Sequence, residues 1–389
     1  MRIAIVTDYY YPMLGGITEH VHGQATTLAR RGHEVTIVTG RLLRTPPSID
    51  GHERPPTPAE VEIVRVGAAL PLYGNASQTL HTVPAGLHWQ LRHLFRKRRF
   101  DVIHLHAPYN PGFCLIAPLA IPDLAVSCAT YHSVFSPGPG LDTFGSLMRY
   151  WLSRLDGHIV VSEACIGSLA PYFPFDYRVI PNGIDERHFS PDAAPIDSLR
   201  EDGKQVILFL GRFDPRNGLG TMLRAFERVH AEHEGSVRLV VVGDGPLRNY
   251  YRRQIPDSVA ADIVWPGRVD WHRPSYYASA DVHCTPCNRA SFGMVLLEAM
   301  SCGRPVVASR ISGFQLLMEH GRHGLLVSPA DDAGRFAGAL LYLLDRPAER
   351  ARMGREGRRT AVARYAWSRV AETLENYYLE LRENKSTRR

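Results

Sequence analysis

Short apolar runs alternate with helix-length amphipathic segments along almost the whole of the 389-residue chain. The runs are rich in β-branched residues and apolar at consecutive positions, which predicts parallel strands covered by helices on both faces. The alternation breaks once, at the turn-forming residues 181–185 and the polar stretch 191–203. These two segments are typical of an interdomain linker. The sequence therefore predicts an α/β protein with two doubly wound, Rossmann-like domains.

We place residues 1–180 in an N-terminal domain and residues 181–366 in a C-terminal domain. The terminal segment 367–389 begins with helical apolar spacing and is assigned as a helix that joins the N-terminal domain. Residues 41–60 contain five prolines and predict a long surface loop. Helices are predicted over 18–31, 219–232 and 291–301. Strands are predicted over 3–7, 35–39, 61–66, 102–105, 125–131, 158–161, 177–180, 206–210, 238–242, 263–265, 281–285, 305–309 and 325–327.

Composition excludes several classes of protein. A hydrophobic fraction of 44% indicates a globular chain rather than a disordered one, and six cysteines are too few for a disulfide scaffold. The N-terminal apolar run is too short for a signal peptide, and Pro118, Pro122 and Asp123 interrupt the most apolar stretch, 113–129. We therefore expect a cytoplasmic chain with reduced thiols. The net charge of +6 permits nucleic acid, an anionic membrane or a phosphorylated ligand without choosing among them.

Two glycine-containing turns follow predicted strands. Gly15 and Gly16 lie between the first strand and a helix, where a doubly wound domain binds its ligand and where glycine lets backbone N–H groups approach an anion. A tight turn with positive φ is the alternative. Gly243-Asp244-Gly245 is a weaker signal, because position 248 is Arg and the dinucleotide-binding fingerprint is incomplete.

The segment 290–300 is the most informative. It follows a predicted strand and opens a helix, with Ser291 as the expected N-cap, so that free N–H groups would meet a phosphate. Glu298 lies about two turns into this apolar helix. A carboxylate there needs a partner, and a ribose diol is one candidate. A capped core helix with a structural glutamate is the other interpretation.

Five segments in a fixed order carry a family resemblance. They are Gly15-Gly16-Ile17-Thr18-Glu19-His20-Val21, Pro181-Asn182-Gly183-Ile184-Asp185, Gly211-Arg212-Phe213, Gly243-Asp244-Gly245-Pro246 and Ser291-Phe292-Gly293 with Glu298-Ala299-Met300. The chain resembles family 4 retaining glycosyltransferases, and within them the phosphatidylinositol mannosyltransferase-like branch. The resemblance covers nearly the whole chain. It implies the GT-B architecture, in which two doubly wound domains face a central cleft.

The resemblance implies an activity and its residues. The expected reaction moves a hexose, best taken as mannose from GDP-mannose, to a hydroxyl of an acceptor such as a lipid or glycan precursor, with no metal and no separate cofactor. His132 matches a histidine near the transferred sugar, and Arg212 matches the arginine that holds the diphosphate; both are taken as catalytic. Glu298 matches the carboxylate that binds the ribose. The other positions implied to bind substrate are Gly15, Gly16, Arg216, Asn217, Val269, Ser291, Phe292, Gly293, Met294 and Val295.

Two departures from the family pattern keep a second interpretation open. The lysine usual in the Gly-Arg loop is Asn217 here, and the first of two usual glutamates is Ala290. The chain is therefore either an active enzyme whose site is rebuilt, with Arg216 or Arg289 supplying charge, or a catalytically silent scaffold that binds nucleotide-sugars.

Three further features have weaker interpretations. Cys284 and Cys287 form a C-x-x-C pair, which lacks the second pair of ligands that a structural zinc needs and is expected to be two thiols at a strand end. A nucleic-acid binder is supported only by the high pI. Residues 63–100 contain no Asp or Glu, and a helix within them suits an anionic membrane, although a solvated face is the alternative. Its basic and aromatic face is Trp89, Arg92, Arg96 and Arg99, with Lys97 and Arg98 beside it.

Overall fold

A computed structural model describes residues 1–13, 15–43, 57–74, 77–109, 112–134 and 139–387. The chain divides into two compact units. Unit 1 comprises Met1–Gly183 together with Trp367–Arg389, and unit 2 comprises Ile184–Ala366. The chain therefore leaves unit 1 once and returns to it for the last helix.

Fourteen strands form two sheets in the described part of the chain. They are β1 (Arg2–Val6), β2 (Glu34–Leu42), β3 (Val61–Gly74), β4 (Ser77–Thr82), β5 (Val102–His106), β6 (Val126–Tyr131), β7 (Gly157–Val160), β8 (Tyr177–Val179), β9 (Gln205–Leu210), β10 (Val237–Val242), β11 (Ile263–Gly267), β12 (Val282–Thr285), β13 (Val306–Ser309) and β14 (Gly324–Val327). The unit 1 sheet has the order β4-β3-β2-β1-β5-β6-β7-β8, and the unit 2 sheet has the order β11-β10-β9-β12-β13-β14. Among the pairs formed by these described strands, only β3–β4 is antiparallel. Both units are thus doubly wound.

Helices follow most of the strands. They are α1 (Gly16–Arg30), α2 (Leu87–Arg98), α3 (Phe113–Ala120), α4 (Pro139–Leu152), α5 (Ile166–Leu169), α6 (Leu219–Glu232), α7 (Arg248–Arg252), α8 (Asp257–Ala260), α9 (Arg273–Ser279), α10 (Met294–Ser301), α11 (Ser312–Gln315), α12 (Ala333–Leu344), α13 (Pro347–Tyr365) and α14 (Trp367–Thr387). No helix of the described residues is long and apolar enough to cross a membrane.

The returning helix α14 is part of the unit 1 core. Its apolar stripe packs with the strands of the sheet, as its helical spacing predicts. The entry point of the helix is tight, because a Cβ on Gly23 or on Gly183 would overlap the indole of Trp367. The buried residues of the stripe are Trp367, Val370, Leu374, Tyr377, Tyr378 and Leu381.

The sequence located all thirteen strands that it predicted and missed β4. Ser77–Thr82 is rich in polar residues, so it lacks the apolar run by which the other strands were found. The predicted loop 41–60 lies largely outside the described residues, and its first two residues belong to β2. Residues 191–203 are not a linker. They pack within unit 2, where Ile196 N donates to Ser279 Oγ at 2.7 Å and Arg200 donates to Ser279 O at 2.7 Å.

Candidate functional site

The loops that follow β9, β10 and β12 meet at one edge of the unit 2 sheet. β9 lies between β10 and β12, so the chain changes direction between β9 and β12, where doubly wound sheets bind ligands. Close approach of these loops requires glycine. A Cβ on Gly243 would overlap the carbonyl oxygen of Gly211, and a Cβ on Gly218 would overlap that of Pro286. The three loops therefore form one backbone framework.

Arg212 lies in the loop after β9. Its neighbour Phe213 N donates to Asp244 O at 3.0 Å, and the side-chain amide of Asn217 donates to Arg212 O at 2.8 Å. Although the residue is exposed, partial burial of its guanidinium and, second, the charge of Arg216 lower the pKa of Arg212. An arginine still stays charged at neutral pH. The framework thus presents a fixed cation at the ligand edge.

Asn217 replaces the usual lysine and contacts both its own loop and the loop after β12. Its Nδ2 bonds the Arg212 carbonyl, and its Oδ1 lies 3.8 Å from Cys287 Sγ. The adjacent Arg216 pairs with Asp214 at 3.4 Å, and the same carboxylate caps the 3-10 helix Pro215–Asn217. Asn217 therefore supports the loop by hydrogen bonds, while Arg216 supplies a second cation beside Arg212.

Helix α10 begins three residues later than the sequence predicts. Its N-cap is Gly293, not Ser291, and no side chain caps it. Gly293 has φ of +100°, a left-handed conformation that glycine adopts readily, and a Cβ there would approach Phe314 to 2.8 Å. The chain therefore turns sharply after the buried Phe292. The first N–H groups of α10, at Met294 and Val295, lie at the start of the helix, where an anion is favoured.

Glu298 is 3% exposed and has protein partners. Tyr277 Oη donates to Glu298 Oε2 at 2.9 Å, and Arg273 donates to Oε1 at 3.2 Å. Tyr277 also bonds Val295 O at 3.1 Å, so the carboxylate is joined to the start of α10. These two contacts agree with the structural interpretation of Glu298. They do not use all the lone pairs of the carboxylate, which can accept a hydrogen bond from a further donor.

Val269 lies in the loop after β11 and is half-buried. This loop is joined to the framework because Gly243 N donates to Gly267 O at 2.8 Å. Arg268 and Asp270, on either side of Val269, form an ion pair at 3.1 Å. The predicted donor-binding residues of unit 2 thus lie after β9, β11 and β12, at the carboxyl edge of the sheet.

Gly15 and Gly16 stand at the start of α1, after β1. Gly15 has φ of 168°, an extended conformation open to any residue, and Gly16 is not among the residues with positive φ. The alternative of a tight left-handed turn is therefore wrong. A Cβ at either position would meet no atom within 4 Å, so the glycines leave room at the ligand edge of the unit 1 sheet.

His132 follows β6 at the same edge of unit 1. Its Nε2 is hydrogen-bonded to His106 Nδ1 at 2.9 Å, and its ring meets that of His20 edge to face at 4.8 Å. Burial first, and the neighbouring histidines second, hold the pKa of His132 well below its ordinary value. His132 is therefore neutral at physiological pH, and its ring has one nitrogen that donates a hydrogen bond and one that accepts.

The histidines around His132 were not predicted from the sequence. His104 and His106 are both fully buried and two residues apart on β5, so they share one face of the sheet. His20 approaches them from α1. The His-x-His pattern at the carboxyl end of a predicted strand could have identified this cluster, because the ends of neighbouring parallel strands lie together.

Asp8 is a second missed residue. It follows β1 and accepts hydrogen bonds from Thr82 Oγ1 at 2.7 Å and from Phe113 N at 3.1 Å. Burial raises the pKa of Asp8 to about 6, against the lowering effect of these bonds. The carboxyl group connects β1, β4 and the start of α3. Asp8 could have been identified from the sequence because it is the charged residue that ends the first apolar run.

One group of side chains could hold a metal among the described residues. His20, His106 and His132 place ring nitrogens within 4.8 Å of one another, and neutral imidazoles are metal ligands. Cys284 and Cys287 do not form such a group. Both are buried free thiols, and burial raises the pKa of each, as expected for structural cysteines.

The basic surface predicted within residues 63–100 lies on α2. Leu87, Leu91 and Phe95 are buried, which leaves the opposite side of α2 to solvent; there Trp89 is 72% exposed. Arg98 instead pairs with Glu62 at 2.6 Å. A groove of about 430 Å³ follows the exposed side and is lined by Trp89, Arg92, His93, Arg96 and Lys97. Arg99 ends the helix in a left-handed conformation.

Comparison with known proteins decides the family. Residues 14–188 match the family model described as Glycosyltransferase Family 4, and residues 204–346 match the model described as Glycosyl transferases group 1. The chain is 32% identical over 382 residues to a phosphatidyl-myo-inositol mannosyltransferase of Mycolicibacterium smegmatis, covering 97% of this chain and 93% of that protein. The chain belongs to glycosyltransferase family 4. The resemblance seen in the sequence is thereby confirmed, and this family 4 member is an enzyme of the glycosyltransferase class.

A second relative and two solved structures are also similar to this chain over nearly its whole length. The enzyme is 29% identical to a phosphatidyl-myo-inositol mannosyltransferase of Propionibacterium freudenreichii, over 100% of this chain and 97% of that one. Its fold is similar to that of sucrose-phosphate synthase from Thermosynechococcus elongatus, with a TM-score of 0.70, 23% identity and coverage of 98% and 99%. It is also similar to Anabaena HepE in complex with UDP, with a TM-score of 0.73, 18% identity and coverage of 98% and 100%. This glycosyltransferase therefore has the expected GT-B fold.

Proposed function

We propose that this glycosyltransferase moves mannose from GDP-mannose to a hydroxyl group of an inositol-containing phospholipid, with retention at the anomeric carbon. The observation that carries the proposal is the 32% identity, over 97% of the chain, to an enzyme named for its sugar and its lipid acceptor. A nucleoside diphosphate sugar as donor is supported by similarity to HepE, a protein determined in complex with UDP-glucose.

On this proposal the donor binds to unit 2. The Arg212 guanidinium and the neighbouring Arg216 contact the diphosphate, and the N–H groups at the start of α10 contribute partial positive charge. Glu298, held by Tyr277 and Arg273, accepts hydrogen bonds from the ribose hydroxyls. The backbone around Val269 meets the base. As the glycosidic bond breaks, negative charge grows on the diphosphate, and fixed cations stabilise that charge most in the transition state.

On unit 1, Gly15 and Gly16 leave space beside α1 for substrate, and His132 contacts the transferred sugar or the acceptor hydroxyl. The departing phosphate assists removal of the acceptor proton, and the incoming oxygen attacks on the face from which the diphosphate leaves. Retention follows from this geometry. Charge on the leaving group is met by arginine and backbone dipoles, so the proposal includes no metal.

A catalytically silent scaffold is not favoured. Its support was the loss of the usual lysine and of the first glutamate, at Asn217 and Ala290. The relatives that match the whole chain are named as enzymes. In addition, Asn217 takes part in the loop that supports Arg212, which argues for a rebuilt site rather than a decayed one.

A lipid acceptor requires contact with a membrane, and the exposed side of α2 is the proposed surface. Each basic residue near an anionic membrane contributes about 1 kcal/mol, and Trp89 suits the interface. The apolar side chains Phe144, Leu147 and Tyr150 of α4 are 59%, 48% and 62% exposed. Because α3 packs against both α2 and α4, this apolar surface belongs to the same group of helices.

Two measurements test the proposal. A thermal-shift panel with GDP-mannose, UDP-glucose, UDP-GlcNAc and ADP-glucose identifies the donor, since a ligand of the native state raises the unfolding midpoint. Transfer to vesicles that contain phosphatidylinositol is then measured, and NMR of the product gives its anomeric configuration. We expect GDP-mannose to bind and an α-mannosyl lipid to form. Donor binding without transfer to any acceptor would support the scaffold instead.

A further inference from the structure

Four imidazoles lie together at the ligand edge of unit 1. The rings of His104 and His106 are stacked with centroids 4.4 Å apart, and those of His106 and His132 are stacked at 5.2 Å. Interplanar angles of 24° and 23° make these three rings a continuous column. His20 packs against its side, 5.3 Å from the His106 ring. The half-buried His132 is the end of the column that a substrate can reach.

The inner end of the column is fixed by side chains from two helices. The Gln24 amide donates to His104 Nδ1 at 3.0 Å, and the Tyr378 hydroxyl bonds the same nitrogen at 2.7 Å. Because this nitrogen accepts, Nε2 of neutral His104 must carry the hydrogen. Nε2 accordingly lies 2.7 Å from Thr130 Oγ1. The first imidazole therefore has one tautomer and one orientation.

The outer end is joined to the column by one bond. His106 Nδ1 lies 2.9 Å from His132 Nε2. Between two neutral imidazoles one nitrogen donates and the other accepts, so this bond couples the tautomers of the two rings: when one nitrogen carries the hydrogen, the other must accept it. It also uses Nε2 of His132 and leaves Nδ1 as the nitrogen through which His132 can act.

We propose that His106 is a positioning residue for the transfer reaction, acting through its Nδ1 contact to hold His132 in one ring orientation and one tautomer. The proposal rests on the proposed role of His132 at the transferred sugar. A positioning role explains why the buried residue in contact with His132 is an imidazole rather than an apolar side chain. His104, Gln24 and Tyr378 complete the support by fixing the ring on which His106 stacks.

Two substitutions at the same position separate positioning from packing. In His106→Asn the side-chain amide lies close to where Nδ1 lay, so it can still bond His132 Nε2. In His106→Phe the ring volume is kept and the bond is lost. We expect the Asn variant to keep kcat within about tenfold of wild type, and the Phe variant to lose about 10²-fold, the effect of displacing a group that orients the reacting atoms. The KM for the donor should stay unchanged in both.

A tautomer readout and a control complete the test. In protein labelled with ¹⁵N-histidine, the His132 ring should show one tautomer in wild type and in His106→Asn, and a mixture in His106→Phe. The matched control is His158→Asn, which removes another buried histidine of unit 1, hydrogen-bonded to Tyr131 at 3.1 Å, and should keep kcat.

The outcomes distinguish the inference from the proposed function. If His132→Ala keeps full turnover, the proposed role of His132 is wrong, and the inference about His106 is wrong with it. If His132→Ala is inactive while His106→Phe has wild-type kcat and one His132 tautomer, the function stands and the inference is overturned. Equal losses of kcat in His106→Asn and His106→Phe, in proportion to the loss of folded protein, would also overturn the inference. They would show that His106 contributes only to packing.

Discussion

Asn217 donates a hydrogen bond from its side-chain amide to the backbone carbonyl of Arg212, over 2.8 Å. Where the family usually places a cation, this chain has a neutral side chain that holds the loop of the remaining cation. Asn217→Lys should therefore lower transfer, by about tenfold, because it breaks this bond and adds a third positive charge beside Arg212 and Arg216. Initial rates at saturating donor measure the effect. Asn217→Ala, which loses the bond without adding charge, separates the two causes. A rise in activity for Asn217→Lys would instead indicate a site that lacks only a cation.

Arg212→Ala should abolish most transfer while the fold is kept. The residue is exposed, so its loss creates no cavity, whereas removal of one charged donor from a closed site costs about 10²-fold or more in rate. Turnover and the far-ultraviolet circular dichroism spectrum are the measurements. Arg253→Ala removes an exposed arginine beyond α7 and should behave as wild type. Wild-type turnover in Arg212→Ala would remove the assignment of Arg212 to the diphosphate.

Glu298→Gln should weaken donor binding and also lower the unfolding midpoint. The midpoint falls because Glu298 forms a buried ion pair with Arg273, and the glutamine leaves the guanidinium without its counter-charge, at a cost of about 1–3 kcal/mol.

Arg273→Gln is the matched control for Glu298→Gln, since it breaks the same pair and keeps the carboxylate. We expect it to lose stability and to bind the donor more tightly than Glu298→Gln does. Calorimetric titration with the donor and thermal unfolding give both quantities. Equal donor affinity in the two variants would make Glu298 purely structural.

Replacing Arg92, Arg96, Lys97 and Arg99 by Ser should reduce binding to acidic liposomes at low salt and leave binding to neutral liposomes unchanged. The reason is the loss of roughly 1 kcal/mol for each cation near the surface. Co-sedimentation measures it. The control replaces four exposed arginines on other helices, Arg335, Arg355, Arg359 and Arg369, which gives the same net charge. Equal loss in both variants would point to net charge rather than to α2.

The buried histidines predict loss of stability in acid. His158 has a pKa of about 4 in the folded protein because of burial, against about 6.5 when unfolded. Below pH 6.5 the unfolded chain binds a proton that the folded chain does not, so stability falls as the pH falls toward 4. Removing this group in His158→Asn should flatten the dependence by about 1.4 kcal/mol per pH unit. Urea unfolding at pH 6.0, 5.5, 5.0 and 4.5 measures it, and parallel curves for the two proteins would contradict it.

The fold could be predicted from the sequence because its main determinant is local. Most buried strands, such as Val237–Val242, consist largely of apolar residues, and most are followed by a helical pattern. β4 could not be found in this way. Its pairing with β3 is antiparallel, and its residues include Ser77, Gln78 and Thr79, which carry no periodic signal.

Glu298 was singled out from the sequence because a carboxylate in an apolar helix needs a partner. Arg212 was singled out because its Gly-Arg loop resembles that of family 4, and the roles of both residues in donor binding stay predictions. The start of α10 was placed wrongly at Ser291, because the preference of serine for N-caps is weaker than the turn that Gly293 makes against Phe314. The partners of Glu298 and of His132 come from other elements, and their identity depends on tertiary packing.

Helix α14 completes unit 1 with residues that follow all of unit 2 in the sequence. On the ribosome, all of unit 2 is therefore synthesised before the N-terminal domain has its final helix. Until then the strands of that domain lack the side chains that cover them, and His104 lacks the hydroxyl of Tyr378. Termination of synthesis within α14 before Tyr378 would remove this hydroxyl from the histidine column, whereas the loops of unit 2 would already be complete.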